Sequence, residues 1–255
     1  TTEIYTLSLH DALRSLADPI IQDAIARCPQ VSVVEARNLT EGCEILMRDE
    51  AEGMIAGIDE TTKEVVNVCR KKIPLKEKYF SSAFLLEKGG KRLIIADAGV
   101  CKNPDAELLT CIVRQTYETA NKLLEEKPRI AMLSFSTFGS GGEDETITKS
   151  RKVIENIREK YPEIIIDGEM QLDTAINIEV AKKKAPKSLV AGKANVLICP
   201  DLNSGNILYK GLEHLGGWTV AGPILQGFIK NISDVSRGST TEDVELIIKT
   251  MEKLK

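Results

Sequence analysis

Histidine and aromatic side chains are scarce: the 255-residue chain has two His, one Trp, five Tyr and five Phe. So few imidazoles argue against a His-rich metal set or a histidine-centred triad. The six cysteines (28, 43, 69, 101, 111 and 199) include no C-x-x-C pair and no tight cluster, which disfavours a zinc ribbon. A chain of this length buries a core without disulfides, so they read as reduced thiols of a cytoplasmic protein. Positive charge is not in excess: Lys+Arg is 34 against Asp+Glu 38, a formal charge of −4. The basic face that grips a nucleic-acid backbone is therefore lacking. No apolar run approaches the ~18 residues of a membrane span, and no pattern of basic, apolar and small residues marks a signal peptide. Repeats of 20–50 residues and low-complexity tracts are also absent.

What is present is a globular balance, 42% hydrophobic and 28% charged, enough for one large domain or two modest ones. The first residues stand apart. Thr6–Ser15, TLSLHDALRS, back-translates to a common short-read sequencing adapter with one T missing. Residues 1–15 are thus expected to be non-native, with native sequence from about Leu16; an ordinary amphipathic helix start is the alternative. On that expectation His10 drops out and His214 is left without a histidine partner, a structural residue.

Short β-rich apolar runs alternate with longer helical patterns, the signature of βαβ units and largely parallel sheets. Met54–Gly57, Arg92–Ala96, Ile130–Leu133, Ile164–Ile166 and Val196–Cys199 are the expected strands. Asp105–Glu126, Thr146–Lys160, Leu172–Lys184, Gly205–Leu215 and Thr240–Leu254 are the expected helices, with apolar positions at helical spacing. The basic, Pro-containing stretch 71–78 and Gly216-Gly217 suggest domain edges. Several strands end in polar residues: Asp97, Ser134, Asp167 with Gly168, and Pro200-Asp201. In open α/β sheets the ligand crevice lies beyond the carboxyl ends of strands, although Asp, Ser and Gly are also ordinary turn and cap residues.

Three segments carry candidate chemistry. Residues 134–142, SFSTFGSGG, lead from a strand into a helix and offer N–H groups and hydroxyls to an anion; a plain connection is the competing reading. No G-K-[ST] or G-x-G-x-x-G accompanies them, which disfavours ATP and dinucleotides. Residues 200–210, PDLNSGNILYK, stop a strand and open a helix capped by Asn203 or Ser204. Gly205 there permits close approach of a ligand or of another backbone, while capping leaves Asp201 and Asn206 unexplained. Residues 234–243, DVSRGSTTED, contain Arg237, a planar fork for phosphate or carboxylate, beside Ser236, a donor for a developing oxyanion. Asp243 is a candidate base, and also the third residue of a capping box opened by Thr240, with Ser239 and Glu242 as the alternative box. Lys182–Lys184 read as a solvated helix end.

Taken together, NPDAE (103–107), RIAMLSFSTFGS (129–140), DGEMQLDTA (167–175), ANVLICPDLNSGNILYK (194–210), AGPILQG (221–227) and DVSRGSTTED (234–243) resemble the phosphate acetyltransferase/phosphate butyryltransferase family, more its acetyltransferase branch. EAEGMIAGIDETT (50–62) matches more loosely. The resemblance implies two α/β domains with an interdomain cleft, in an isocitrate/isopropylmalate dehydrogenase-like fold. Residues 16–79 plus 220–255 would form the first domain, and 80–219 the second. It implies acetyl transfer between coenzyme A and phosphate, acetyl phosphate being the other substrate, without a permanently bound cofactor, metal or covalent intermediate, by a cytoplasmic homodimer that uses neither nucleic acid nor membrane. Asp243 would help deprotonate the thiol, Arg237 would bind the phosphoryl group, and Ser236 would stabilise the oxyanion. Thr61, Thr62, Ser134, Ser136, Thr137, Asp201, Asn206, Gln226 and Arg70 would bind substrate.

The chain departs from the family pattern at three places. Asn67 stands where an Arg usually follows the Thr-Thr pair, Arg70 being the candidate substitute one turn on. Phe138 replaces a Lys, and KNISDV (230–235) replaces K-P-V-N-D-L. The N-terminal strand is expected to be missing or replaced, leaving the first sheet an unpaired edge. A butyryl-specific enzyme and a non-catalytic acetyl-CoA-binding regulatory domain are the alternatives.

Overall fold

The computed structural model describes residues 4–8 as backbone, and 18–57, 60–236 and 238–254 in full. The chain is α/β and divides into two compact units, residues 1–80 with 219–255 and residues 81–218.

In the first unit, β1 (Ile4–Ser8), α1 (Pro19–Ala26), β2 (Ser32–Ala36), α2 (Leu39–Met47), β3 (Gly53–Gly57) and α3 (Thr62–Lys72) are followed, after the second unit, by β9 (Thr219–Gln226), β10 (Asn231–Val235) and α9 (Thr241–Lys253). The strand order is β2-β1-β3-β10-β9, parallel except for the β9–β10 pair. β3 is buried along its whole length, as a parallel strand covered on both faces must be. Met54, Ile55, Leu46, Ile21, Ile232, Ile247 and Met251 make the core. Each helix starts on a side-chain cap: Asp18 with Pro19 behind it, Asn38, Thr61 and Thr240.

The expected unpaired edge is corrected. Residues 4–8, inside the segment expected to be non-native, lie between β2 and β3 and pair in parallel with both. A parallel ladder is made by backbone groups, and Ile-Tyr-Thr is β-prone, so this short segment satisfies the position. The remainder of that segment, residues 1–3 and 9–15, is outside the described residues.

The second unit holds β4 (Ser81–Lys88), β5 (Lys91–Ala96), α4 (Ala106–Leu123), β6 (Arg129–Leu133), α5 (Glu145–Lys160), β7 (Ile165–Met170), α6 (Leu172–Ile176), α7 (Ile178–Lys184), β8 (Val196–Ile198) and α8 (Leu202–His214). Its strand order is β4-β5-β8-β6-β7; β4 and β5 form an antiparallel hairpin and the other pairs are parallel. Gly89 and Gly90 turn the hairpin at φ of 55° and 75°, a conformation that two non-glycine residues would adopt only with strain. Ile94, Ile95, Leu109, Ile112, Met132, Val153 and Leu197 fill the core. The single helix expected over 172–184 is two helices, because the Asn177 side chain accepts from Glu179 N and Val180 N and restarts the helix there. Among the described residues no helix is long and apolar enough to cross a membrane.

Candidate functional site

In the first unit, the carboxyl ends of β3 and β10 lie side by side, with Asp234 paired to Ala56 and Val235 to Gly57. Asp234 is 2% exposed. Its Oδ2 accepts from the Thr62 hydroxyl at 2.5 Å, tying the end of β10 to the first turn of α3. Its Oδ1 is buried and has no hydrogen-bond partner among the described residues. Burial, with the charge of nearby Glu60 acting in the same direction against the Thr62 bond, pushes the carboxyl up to about 7. The site closes tightly around this carboxylate: a Cβ at Gly57, whose φ is 98°, would sit 2.2 Å from Asp234 Oδ1 and 2.4 Å from Val235 O. Ser236 follows immediately and is exposed. Thr62, Asp234 and Ser236 are thus brought together; Arg237 is outside the described residues.

Thr61 is committed to local structure. It accepts from Glu64 N, and Glu64 Oε2 accepts from Thr61 N and Oγ1 at 2.8 and 2.7 Å, a complete capping box. Asp243 does the same for α9. It is 4% exposed, and its Oδ2 accepts from Thr240 N and Oγ1, both at 2.8 Å, while Oδ1 accepts from Val220 N at 2.8 Å. A carboxylate has about four acceptor positions, so one, on Oδ1, is left over. The capping reading of Asp243 therefore describes its geometry. Arg70, the candidate substitute for the absent arginine at Asn67, lies on α3 with its guanidinium 5.1 Å from the centre of the Phe80 ring. Gln226 is buried at the end of β9.

In the second unit, the loop from β6 to α5 does not have the open donors expected of an anion cradle. Ser136 N donates to Ser134 Oγ, Thr137 N to Ser140 Oγ and Gly141 N to Ser136 Oγ. Phe138 N donates to Glu169 O, Ser140 N to Thr137 O and Gly142 N to Gly139 O. Gly139 N reaches Glu169 Oε1 at 2.6 Å. Ser136 and Thr137 are buried, with Ser136 Oγ donating to Glu169 and Thr137 Oγ1 lying near Gln171 and Thr174. Phe135 and Phe138 face outward, 59% and 46% exposed.

The other polar strand ends serve the backbone. Asp97 is buried and accepts from Ser82 N and Oγ, Gly99 N and Val100 N. Asp167 accepts from Arg158. Asp201, rather than Asn203 or Ser204, caps α8 by accepting from Ser204 N at 2.8 Å. Asn206 donates to Ala98 O at 3.3 Å. Gly205 admits another backbone, since a Cβ there would lie 2.3 Å from Asp97 O. His214 is exposed beside Glu213.

Sequence reasoning missed Asp234, Glu169 and Lys149. Asp234 is an acid in the strand NISDV, whose last four residues are buried, and that burial does not show in the sequence. Lys149 Nζ donates to Pro104 O and Pro200 O at 3.1 Å, and to Asn103 Oδ1 at 3.5 Å, placing a cation at the carboxyl ends of the strands. Cys199 and Cys101 lie nearby in sequence to these ends; burial is the main cause that pushes the Cys199 thiol up to about 12 and the Cys101 thiol up as well, which keeps both protonated. Among the described residues no cluster of three His, Cys, Asp or Glu is placed to hold a metal ion. A cavity of about 620 Å³ opens at the opposite, amino ends of this unit's strands, between Lys91, Arg92, Arg129, Asn195 and Trp218. None of the sequence-predicted site residues lines it.

Residues 14–251 match the model of the family described as "Phosphate acetyl/butaryl transferase". The phosphate acetyltransferase of Bacillus subtilis strain 168 is 39% identical over 205 residues, covering 80% of this chain and 63% of that relative. The chain thus spans less than two thirds of that relative's length. A crystal structure of a phosphotransacetylase from Streptococcus pyogenes superposes with a TM-score of 0.77 at 37% identity, covering 85% of this chain and 67% of the other. The fold is also that of a 4-hydroxythreonine-4-phosphate dehydrogenase from Klebsiella pneumoniae, with a TM-score of 0.55 at 12% identity, covering 88% of this chain and 78% of that one.

Proposed function

This chain belongs to the phosphate acetyl/butyryl transferase family, and from that membership we propose that it transfers an acetyl group reversibly between acetyl phosphate and coenzyme A. In the forward direction the CoA thiolate attacks the acetyl carbonyl carbon, the carbon–oxygen bond to phosphate breaks, and phosphate leaves. The thiol proton passes to a base. Holding two anionic substrates in line supplies most of the acceleration in such a direct transfer.

The observation that carries the reading is the arrangement at the end of β10. Ser236 is exposed there, two residues after the buried carboxylate of Asp234, which is bonded to the first turn of α3. Among the described residues Ser236 Oγ accepts a long bond from Gly238 N, 3.4 Å, and it has its own proton to donate to an oxyanion. Arg237 is the proposed phosphoryl ligand, because a guanidinium pairs with phosphate bidentately. Asp243 is the proposed base, acting through the remaining acceptor position of Oδ1. In the second unit, Ser134 is the proposed substrate hydroxyl at the end of β6, and Lys149 the proposed source of positive charge. Coenzyme A, acetyl phosphate and phosphate are the proposed partners, used by a cytoplasmic homodimer with no permanently bound cofactor.

One observation favours a second reading, a non-catalytic acetyl-CoA-binding domain: the proposed base is 4% exposed and already accepts three hydrogen bonds. Steady-state formation of acetyl-CoA from acetyl phosphate and CoA separates the two. Turnover that falls about a hundredfold or more in Ser236→Ala is expected if the hydroxyl stabilises the oxyanion. Binding of acetyl-CoA by a folded protein that never turns over supports the second reading instead.

A further inference from the structure

The Ser/Thr/Gly loop between β6 and α5 contains an anion of its own. Glu169, on β7, is 1% exposed. Its Oε1 accepts from Ser136 Oγ at 2.9 Å and from Gly139 N at 2.6 Å, and its main-chain oxygen accepts from Phe138 N at 3.0 Å. Arg151, half exposed on α5, closes the outer side, with Nε 3.0 Å from Oε2 and Nη2 3.3 Å from Oε1. These bonds hold the carboxyl below its usual range against the opposing effect of burial.

We infer that Glu169 is the positioning residue of this loop, an internal carboxylate that fixes its shape so that substrate meets hydroxyls rather than backbone N–H groups. Every N–H from residue 136 to 142 is already spent inside the loop or on Glu169. The O–H groups of Ser134 and of Ser140, each of which accepts one backbone bond and has its own proton, remain to donate. Phe138 adopts a φ of 47°, a region that a bulky residue enters only under constraint, and the bond from its N–H to Glu169 O supplies that constraint. Without the carboxylate, Ser136 Oγ and Gly139 N lose their shared acceptor and the two hydroxyls lose their fixed spacing. Glu169 touches no substrate in this scheme; it acts through Ser136 and Gly139.

The inference rests on the reading that the chain uses acetyl phosphate, so wild-type turnover is measured first. Glu169→Gln keeps the shape but removes the charge and faces an amide toward Arg151. It is expected to raise the KM for acetyl phosphate about tenfold, because the loop hydroxyls lose their fixed spacing and a contact to substrate with it, with kcat and the KM for CoA near wild type. Arg151→Lys, which keeps the charge but loses the fork, is expected to fall between the two. A wild-type enzyme whose KM for acetyl phosphate is unmoved in Glu169→Gln, or moved only together with kcat and the KM for CoA, overturns the inference and leaves the functional reading standing. Should Glu169→Gln fail to fold, Ser136→Ala removes one of the same bonds, and the same split in KM decides. A folded wild type without turnover sinks the functional reading instead. Calorimetric titration with acetyl phosphate then decides the inference: weaker binding by Glu169→Gln supports it, and equal or absent binding overturns it.

Discussion

Replacing Asp234 with Asn should stabilise the protein at alkaline pH and change it little in acid. The buried carboxyl has one oxygen on Thr62 and the other without a partner among the described residues, and burial pushes it from its ordinary 3.8 up to about 7. In the unfolded chain it titrates near 3.9. Below that value both states are protonated and the group contributes no penalty. As pH rises from about 4 to 7 the unfolded chain releases a proton that the folded chain retains, so stability falls. Above about 7 both are ionised and the loss levels off at roughly 3 pH units, or about 4 kcal/mol. The same relation gives roughly a third of that loss at pH 5. Asparagine is never charged and still offers Thr62 an acceptor, so the stability gap between variant and wild type should widen by about 2–3 kcal/mol between pH 5 and pH 8. Urea denaturation followed by circular dichroism at the two pH values measures this directly. Stability curves for the two proteins that run parallel across that range would refute the assignment of a protonated carboxyl to this position.

Other substitutions test the surrounding geometry. Gly57→Ala places a methyl group 2.2 Å from Asp234 Oδ1 at a φ of 98°, and should lower stability by about 2 kcal/mol or more in the same denaturation assay. Asp243→Asn should weaken the α9 cap by about 1 kcal/mol while abolishing turnover if the carboxylate is the base; normal turnover per folded molecule would leave it as a cap alone. Arg237→Lys should raise the KM for acetyl phosphate about tenfold, since a point charge cannot reproduce a bidentate contact, and unchanged kinetics would remove Arg237 from the site.

Much of the parallel sheet was legible because buried parallel strands are plain apolar runs. β3, β5, β6, β7 and β8 all stand out from their neighbours in that way. β2 and β10 did not, since SVVEA and NISDV carry acids that only the surrounding fold makes tolerable. The start of α8 was misplaced for a local reason: Asp201, read as a functional strand end, is the cap. Site chemistry was legible where it depends on neighbours in sequence, as in the Thr240–Asp243 box. It was illegible where distant segments meet. Nothing within residues 134–142 indicates that a glutamate some thirty positions away already occupies their donors. Nor does anything local to Thr62 indicate that its hydroxyl belongs to Asp234, 172 residues later.

The central claim is that an acetyl group passes between phosphate and the CoA thiol, and isotope exchange tests it most directly. The protein would be incubated with acetyl phosphate and labelled inorganic phosphate, with and without CoA. The account predicts that label enters acetyl phosphate only when CoA is present, because phosphate is released only as the acetyl group moves to sulfur. Exchange without CoA, or no exchange from a folded protein, would contradict it.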